Sequence, residues 1–339
     1  VRIYYMSLVL SPLLCHGFAA PAAAGPCDLY AAGGTPCVAA HSTVRALYSG
    51  FADALYQVLR KSDNRTMDVK VLGPGGFADS QAQDAFCGSA ACIIQRIYDQ
   101  SPMANHLDIA PPGGAHHEKD APVNATADSL TVGGHRVYSA YFEGGMGYRR
   151  DKTSGIPTGD EAQTVYMVTS GTHYNNRCCF DYGNAETDDH DDGAGTMEAV
   201  YFGNAKGGLN HGGAGKGPWI MADMENALWG ADKVQSNELP IQHDFVTAMI
   251  KGDAGEAPGH WAIKGGDAQA GGLTVLWDGP RAPRYAPMKK QGAIILGIGG
   301  DNSAGAVGTF YEGAMLRGYT SDATDDAMQA NIVAAGYGK

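Results

Sequence analysis

Residues 217–229 read GPWIMADMENALW. Read as a strand, this segment puts Trp219, Met221, Asp223 and Glu225 on one face and Ile220, Ala222 and Met224 on the other. The second face is apolar and belongs in a core. The first sets two carboxylates two positions apart beside an aromatic ring, which is costly in a dry interior. On a solvent face the acids are ordinary; in a concave cleft they are binding and catalytic groups.

The same pattern recurs outward along the chain. Short apolar or alternating runs cut by glycine occur at residues 92–98 (CIIQRIY), 136–142 (RVYSAYF), 164–169 (TVYMVT), 197–202 (MEAVYF), 245–250 (FVTAMI), 273–277 (LTVLW), 293–298 (AIILGI) and 309–316 (TFYEGAML). Residues 41–60 have loosely helical apolar spacing, but Ser49-Gly50 interrupts them, and their aromatic and β-branched residues equally suit strands around a turn. Many strands, glycine-rich turns and few helix signals predict an all-β protein of the β-sandwich or jelly-roll type. No fixed-period repeat is visible, and no Pro- or Ser-rich linker divides residues 25–339, so one domain is expected there.

Composition narrows the class. Glycine is 48 of 339 residues, with 44% of residues apolar and 18% charged. The apolar content excludes disorder, and the glycines have no three-residue period, which excludes collagen. Twenty-four basic against 36 acidic residues leave a net charge of −12, which argues against nucleic acid or an anionic membrane as partner. No segment after the N-terminus approaches the length of apolar sequence that spans a bilayer.

Residues 2–24 (RIYYMSLVLSPLLCHGFAAPAAA) have the order of a secretory signal: a basic start, a short apolar middle and an Ala-x-Ala ending at Ala24. Residues 1–24 are therefore expected to be a signal peptide and the mature protein to be secreted. The start at Val1 rather than Met points to a partial sequence. Cys15 leaves with the signal; Cys27, Cys37, Cys87, Cys92, Cys178 and Cys179 remain, an even number that suits disulfides. Proximity favours Cys27–Cys37 and Cys87–Cys92. Cys178 and Cys179 are adjacent, and α-carbons about 3.8 Å apart fall below the usual disulfide minimum of about 4.4 Å. On the residues alone, a tight ring and separate distant partners stand equal. Asn64 and Asn124 begin glycosylation sequons.

A second informative segment, residues 291–305 (QGAIILGIGGDNSAG), is an apolar strand ending in Gly299-Gly300, then Asp301 and Asn302. Paired glycines let backbone approach a ligand, although a plain β-turn also uses Asp-Asn. The acidic run DDHDD at 188–192 lacks the EF-hand frame and reads as a solvated loop, and His116-His117 lacks a zinc frame. No metal or organic cofactor is expected. Two acids from separate strands meet the need of glycosidic bond cleavage, in which one carboxyl protonates the leaving oxygen and the other attacks the sugar or activates water.

Five blocks carry a resemblance: residues 25–48 (GPCDLYAAGGTPCVAAHSTVRALY), 92–107 (CIIQRIYDQSPMANHL), 172–187 (THYNNRCCFDYGNAET), 217–226 (GPWIMADMEN) and 292–315 (GAIILGIGGDNSAGAVGTFYEGAM). They resemble glycoside hydrolase family 54, the fungal secreted α-L-arabinofuranosidase family, over nearly all of 25–339. The resemblance implies a concanavalin-like β-sandwich and a retaining mechanism. In it Glu225 is the nucleophile and Asp301 the general acid/base, while Asp223, Asn226 and the Gly300 backbone hold the arabinofuranose. It also implies a Cys178–Cys179 disulfide against the sugar. The implied substrate is arabinofuranosyl-substituted plant cell-wall polysaccharide, cleaved by an exo-acting monomer that binds neither nucleic acid nor membrane. The rival readings are added β-xylosidase activity and a non-catalytic, lectin-like sandwich.

Two departures accompany the resemblance. Family members usually carry a C-terminal arabinose-binding β-trefoil, which a sequence ending at Lys339 does not include. The glycine-rich loop at 208–219 (GLNHGGAGKGPW) has Asn210 and His211 where relatives place a sugar-stacking Trp.

Overall fold

The alternating runs become strands of two large antiparallel sheets in a computed structural model, which describes residues 1, 23–231, 238–255 and 258–339. Among the described residues one sheet has seven strands. In spatial order these are Cys37–Ser42, Gly308–Arg317, Gln163–Ser170, Phe245–Asp253, His260–Asp267 and Ala270–Pro280, with Ala140–Phe142 also paired to Gly308–Arg317. The other sheet has ten: Leu228–Trp229, Trp219–Asp223, Glu198–Gly203, Asp181–Ala185, Ala293–Leu296, Tyr148–Arg150, Leu107–Ile109, Cys92–Ile97, Ala54–Arg60 and Arg65–Lys70. The protein is a β-sandwich.

Alternation decides which face of the ten-stranded sheet is buried in the sandwich. Tyr182, Val200, Ile220, Ala222 and Leu296 join the main core. Residues of opposite parity on the same strands, Ala185, Ala199 and Ile295 with Tyr201 and Met221, form two small apolar clusters on the opposite face. Tyr201 pairs with both Asp181 and Met221, and Ala199 with Asp223, so Asp181 and Asp223 lie on that second face. Truncating a core member such as Ile220 to Ala would cost about 2–5 kcal/mol.

One sequence expectation changes in detail, and one that the sequence left open is decided. Residues 136–142 do not form one strand: His135–Tyr138 closes a separate hairpin with Ser129–Val132, while Ala140–Phe142 joins the seven-stranded sheet. Residues 41–60 contain no helix, only the end of Cys37–Ser42 and the strand Ala54–Arg60. Helices form instead at Pro26–Ala32, Ser80–Cys87 and Asp322–Ala335. The last is capped by the Ser321 side chain, which accepts from Thr324 N–H, and ends at Gly336 in the left-handed conformation. It packs against Ala270–Pro280 and places Asp325 2.7 Å from both Lys251 Nζ and Lys264 Nζ.

Cys27–Cys37, Cys87–Cys92 and Cys178–Cys179 are disulfides. Asn64 and Asn124 are exposed. The signal read at 1–24, with Cys15, lies almost wholly outside the described residues. Among the described residues no helix is long and apolar enough to cross a membrane.

Candidate active site

The second face of the ten-stranded sheet opens a cleft of about 230 Å³ lined by Cys178, Asp223, Glu225, Asn226, Gly300 and Asp301, among others. Six of the seven residues that the sequence reading assigned to chemistry or sugar binding therefore meet in one cavity. The seventh, Cys179, is buried beside it, its Sγ 3.3 Å from Asp223 Oδ2. Cys178 is exposed at the cleft wall, 3.5 Å from Ser303 Oγ.

Glu225 does not reach the cleft by strand alternation, as the sequence reading supposed. The strand stops at Asp223, and Glu225 and Asn226 adopt φ of 70° and 62°. Consecutive left-handed residues that are not glycine cost on the order of 1–3 kcal/mol each and persist where surrounding contacts hold them. Here Glu225 N–H donates to Asp223 Oδ1 at 3.1 Å, and the Tyr285 hydroxyl donates to the Glu225 carbonyl at 2.7 Å. Trp229 packs edge-on against Tyr285, and His211 lies over Trp229 with ring centroids 4.0 Å apart. His211 thus supports the turn from behind, while Asn210 and Leu209 line the cleft.

Asp301 sits on a turn at the end of Ala293–Leu296 and its glycine-rich extension. Ser303 N–H donates to Asp301 Oδ1 at 3.0 Å, and Ala115 N–H donates to the Asp301 carbonyl at 2.9 Å. Asn302, at φ 63°, is fully buried and donates to the Pro111 carbonyl at 2.7 Å. Arg149 fastens the turn from below: Nη1 donates to the Gly300 carbonyl at 2.6 Å and to Asn302 Oδ1 at 2.9 Å. The same guanidinium binds the Glu186 carbonyl and the carboxylates of Asp151 and Asp189.

The sequence reading missed this supporting layer. Asp189 and Asp191 belong to the run read as a solvated loop, yet Asp189 pairs with Arg149, and Asp191 lines the cleft and accepts from Asn226 Nδ2 at 3.0 Å. Asp181 and Glu186 are fully buried behind the cleft. A signal for Asp181 existed, because Asp181, Gly183 and Ala185 alternate an acid with small residues on one strand face. Nothing local marks Arg149.

Electrostatics follow from crowding acids in a partly dry cleft. Burial, then the charge of Asp223, pushes Asp181 well above the ordinary carboxylate range. Burial also raises Asp223, and Glu186 and Asp301 add to that. Glu225 is raised by burial and by Asp223, Glu186, Asp191 and Asp301. The site therefore holds carboxyl protons that exposed acids would release.

A family model described as "Alpha-L-arabinofuranosidase B, catalytic" matches residues 26–338. The chain is 52% identical to alpha-L-arabinofuranosidase B of Aspergillus kawachii over 334 residues, 96% of this chain and 66% of that protein. It is 52% identical to a probable alpha-L-arabinofuranosidase B of Aspergillus flavus, over 93% of this chain and 63% of that one. The chain thus spans about two thirds of the length of these curated relatives. A solved arabinofuranosidase complexed with arabinofuranosyl-alpha-1,2-xylobiose superposes with a TM-score of 0.89 at 51% identity, covering 92% of this chain and 65% of that one. A GH54 α-L-arabinofuranosidase soaked with a cyclic sulfate inhibitor gives 0.88 at 51% identity, covering 92% of this chain and 66% of that one. The chain belongs to the alpha-L-arabinofuranosidase B catalytic-domain family, glycoside hydrolase family 54.

Proposed function

We propose that this chain is the catalytic part of a secreted, retaining, exo-acting α-L-arabinofuranosidase that removes terminal arabinofuranosyl groups from arabinoxylan, arabinan and related oligosaccharides. The observation that carries it is the meeting of Glu225 and Asp301, from the ends of different strands, in one small cleft with Asp223 and Asn226. The cleft of about 230 Å³ is smaller than the roughly 300 Å³ at which drug-sized sites begin. A single pentose ring suits that volume, which favours exo action.

In the first step a Glu225 carboxylate oxygen attacks the anomeric carbon as its bond to the leaving oxygen breaks, and Asp301 gives that oxygen its proton. In the second, Asp301 takes a proton from water, whose oxygen displaces Glu225 from the anomeric carbon. Two inversions retain configuration. Asp223, Asn226 and the Gly300 backbone hold the sugar, with the Cys178–Cys179 bridge as a wall. Secretion rests on the leader pattern at 1–24, and exposed Asn64 and Asn124 suit glycosylation. The protein acts as a monomer, with no cofactor.

The test is turnover of p-nitrophenyl α-L-arabinofuranoside by the chain and by Glu225→Gln. The reading expects turnover that falls by at least about a thousand-fold in the variant, as when a covalent nucleophile is removed. Failure of the unaltered chain to turn over the substrate, or an unimpaired variant, would contradict it. Faster turnover of the matching β-xyloside would move the assignment to a xylosidase.

A further inference from the structure

Asn226 is proposed to hold the sugar, yet its side chain is exposed on a left-handed residue, where an unrestrained amide rotates about its own bonds. Among the described residues a single side chain restrains it: Asp191 Oδ1 accepts from Asn226 Nδ2 at 3.0 Å. The same oxygen accepts from Gly193 N–H at 2.7 Å, which aims the carboxylate. Committing one amide N–H fixes the plane of the Asn226 side chain and leaves its oxygen and second N–H for a ligand. Both residues line the cleft.

An acid in a run such as 188–192 ordinarily faces solvent or ties its own loop together. This loop is tied by other bonds. Asp189 pairs with Arg149, the Asp189 carbonyl accepts from Gly114 N–H at 2.8 Å, and Asp192 accepts from Gln291 Nε2. Gly195 N–H donates to the Met224 carbonyl at 2.7 Å and joins the loop to the segment just before Glu225. The loop is thus fastened on both sides of residue 191, and the bond from Asp191 to Asn226 is left for the site. The charge of Asp191 gives no other benefit there, since it adds to those that oppose ionisation of Glu225.

We infer that Asp191 is a positioning residue, whose carboxylate pins the Asn226 amide in the orientation that binds the arabinofuranosyl group. The pin stands on geometry alone; its effect on turnover rests on the proposed role of Asn226 and so on the arabinofuranosidase reading.

Two readouts test it. The side-chain amide signals of Asn226, identified in a nitrogen-15 NMR spectrum by their loss in Asn226→Ala, report the pin without turnover. One of the two amide protons should be shifted as a hydrogen-bonded proton is, in the unaltered chain and in Asp191→Asn, which keeps an acceptor at the same reach. In Asp191→Ala both should move to free-amide values. Free-amide signals in the unaltered chain would overturn the inference. In kinetics, Asp191→Ala is expected to lose at least about ten-fold in kcat/KM, the size of a hydrogen bond to a charged group, and Asp191→Asn to stay within about three-fold. In an Asn226→Ala background the Asp191→Ala change should cost less than about two-fold, because its route to the sugar is already gone. A loss that persists in that background would mean that Asp191 acts through Glu225 or the loop, and would contradict the inference. So would an Asp191→Asn variant as slow as Asp191→Ala. A melting temperature lowered by more than about 4 °C in Asp191→Ala would make the residue a strut of the loop, with the same consequence. An inactive unaltered chain would defeat the arabinofuranosidase reading, and the amide signals would still decide the pin.

Discussion

Gly300 has no side chain because there is no room for one. A β-carbon there would strike Glu186 Oε2 and press on Met197 Sδ and Glu225 Oε2, at 2.9 and 3.0 Å. Its φ is not left-handed, so space rather than backbone freedom demands glycine. Gly300→Ala should therefore fold and lose about a hundred-fold in kcat/KM, because displacing a reacting group by an ångström costs about that much. Steady-state kinetics beside a melting curve check it, and full activity would show that the two carboxyls are less confined than described. This glycine could be singled out in the sequence because it adjoins Asp301 at the end of an apolar strand. Its partner Glu186 could not, because a single Glu past a strand end has no distinguishing spacing.

At the scale of elements, the site is two turns, one after Trp219–Asp223 and one after Ala293–Leu296, each fixed by residues remote in sequence. Arg149 enters from Tyr148–Arg150, next to Ala293–Leu296 in the sheet, and ties the Asp301 turn to residues 186 and 189. Its side chain is fully buried. Arg149→Met should lower stability by about 3–5 kcal/mol, the usual cost of removing one member of a buried charge network. It should also reduce kcat as the turn loosens. Urea unfolding measures the first effect, and a loss below about 1 kcal/mol would mean that the turn holds itself. The strands themselves were legible, since GPWIMADM and GAIILGI show their buried residues by alternation or unbroken apolarity. The turns were less so. Period-two reasoning carried Glu225 to the correct cleft by the wrong route, since a left-handed turn, not a pleat, aims it there. Arg149 was invisible because its partners arise from strand order, which local sequence does not contain.

For the whole molecule, buried acids make stability depend on pH in a definite sense. Asp181, Asp223, Glu186 and Glu238 are all raised by burial above the ordinary carboxyl value of about 4. The folded state therefore binds more protons than the unfolded one above pH about 4, and stability falls as pH rises from there. Asp322 acts oppositely: Lys264 and Lys251 hold it down at about 2, so its contribution is present above the ordinary value and lost as pH falls toward 2. The melting temperature should peak in the mildly acidic range, and Asp181→Asn should flatten the alkaline decline. A melting temperature that climbs steadily to pH 8 would contradict this account of the cluster. The acidity of the chain was plain from its net charge, but the concentration of buried acids behind one cleft arises only when the sheet brings residues 181, 186 and 223 together.

The central claim, double displacement through Glu225, is tested most directly by the anomer that the reaction first delivers. Hydrolysis of p-nitrophenyl α-L-arabinofuranoside in aqueous methanol, followed by proton NMR, should yield methyl α-L-arabinofuranoside, because methanol intercepts the arabinosyl-enzyme from the original face. Formation of β-arabinose as the first product, with no methyl α-glycoside, would contradict the claim.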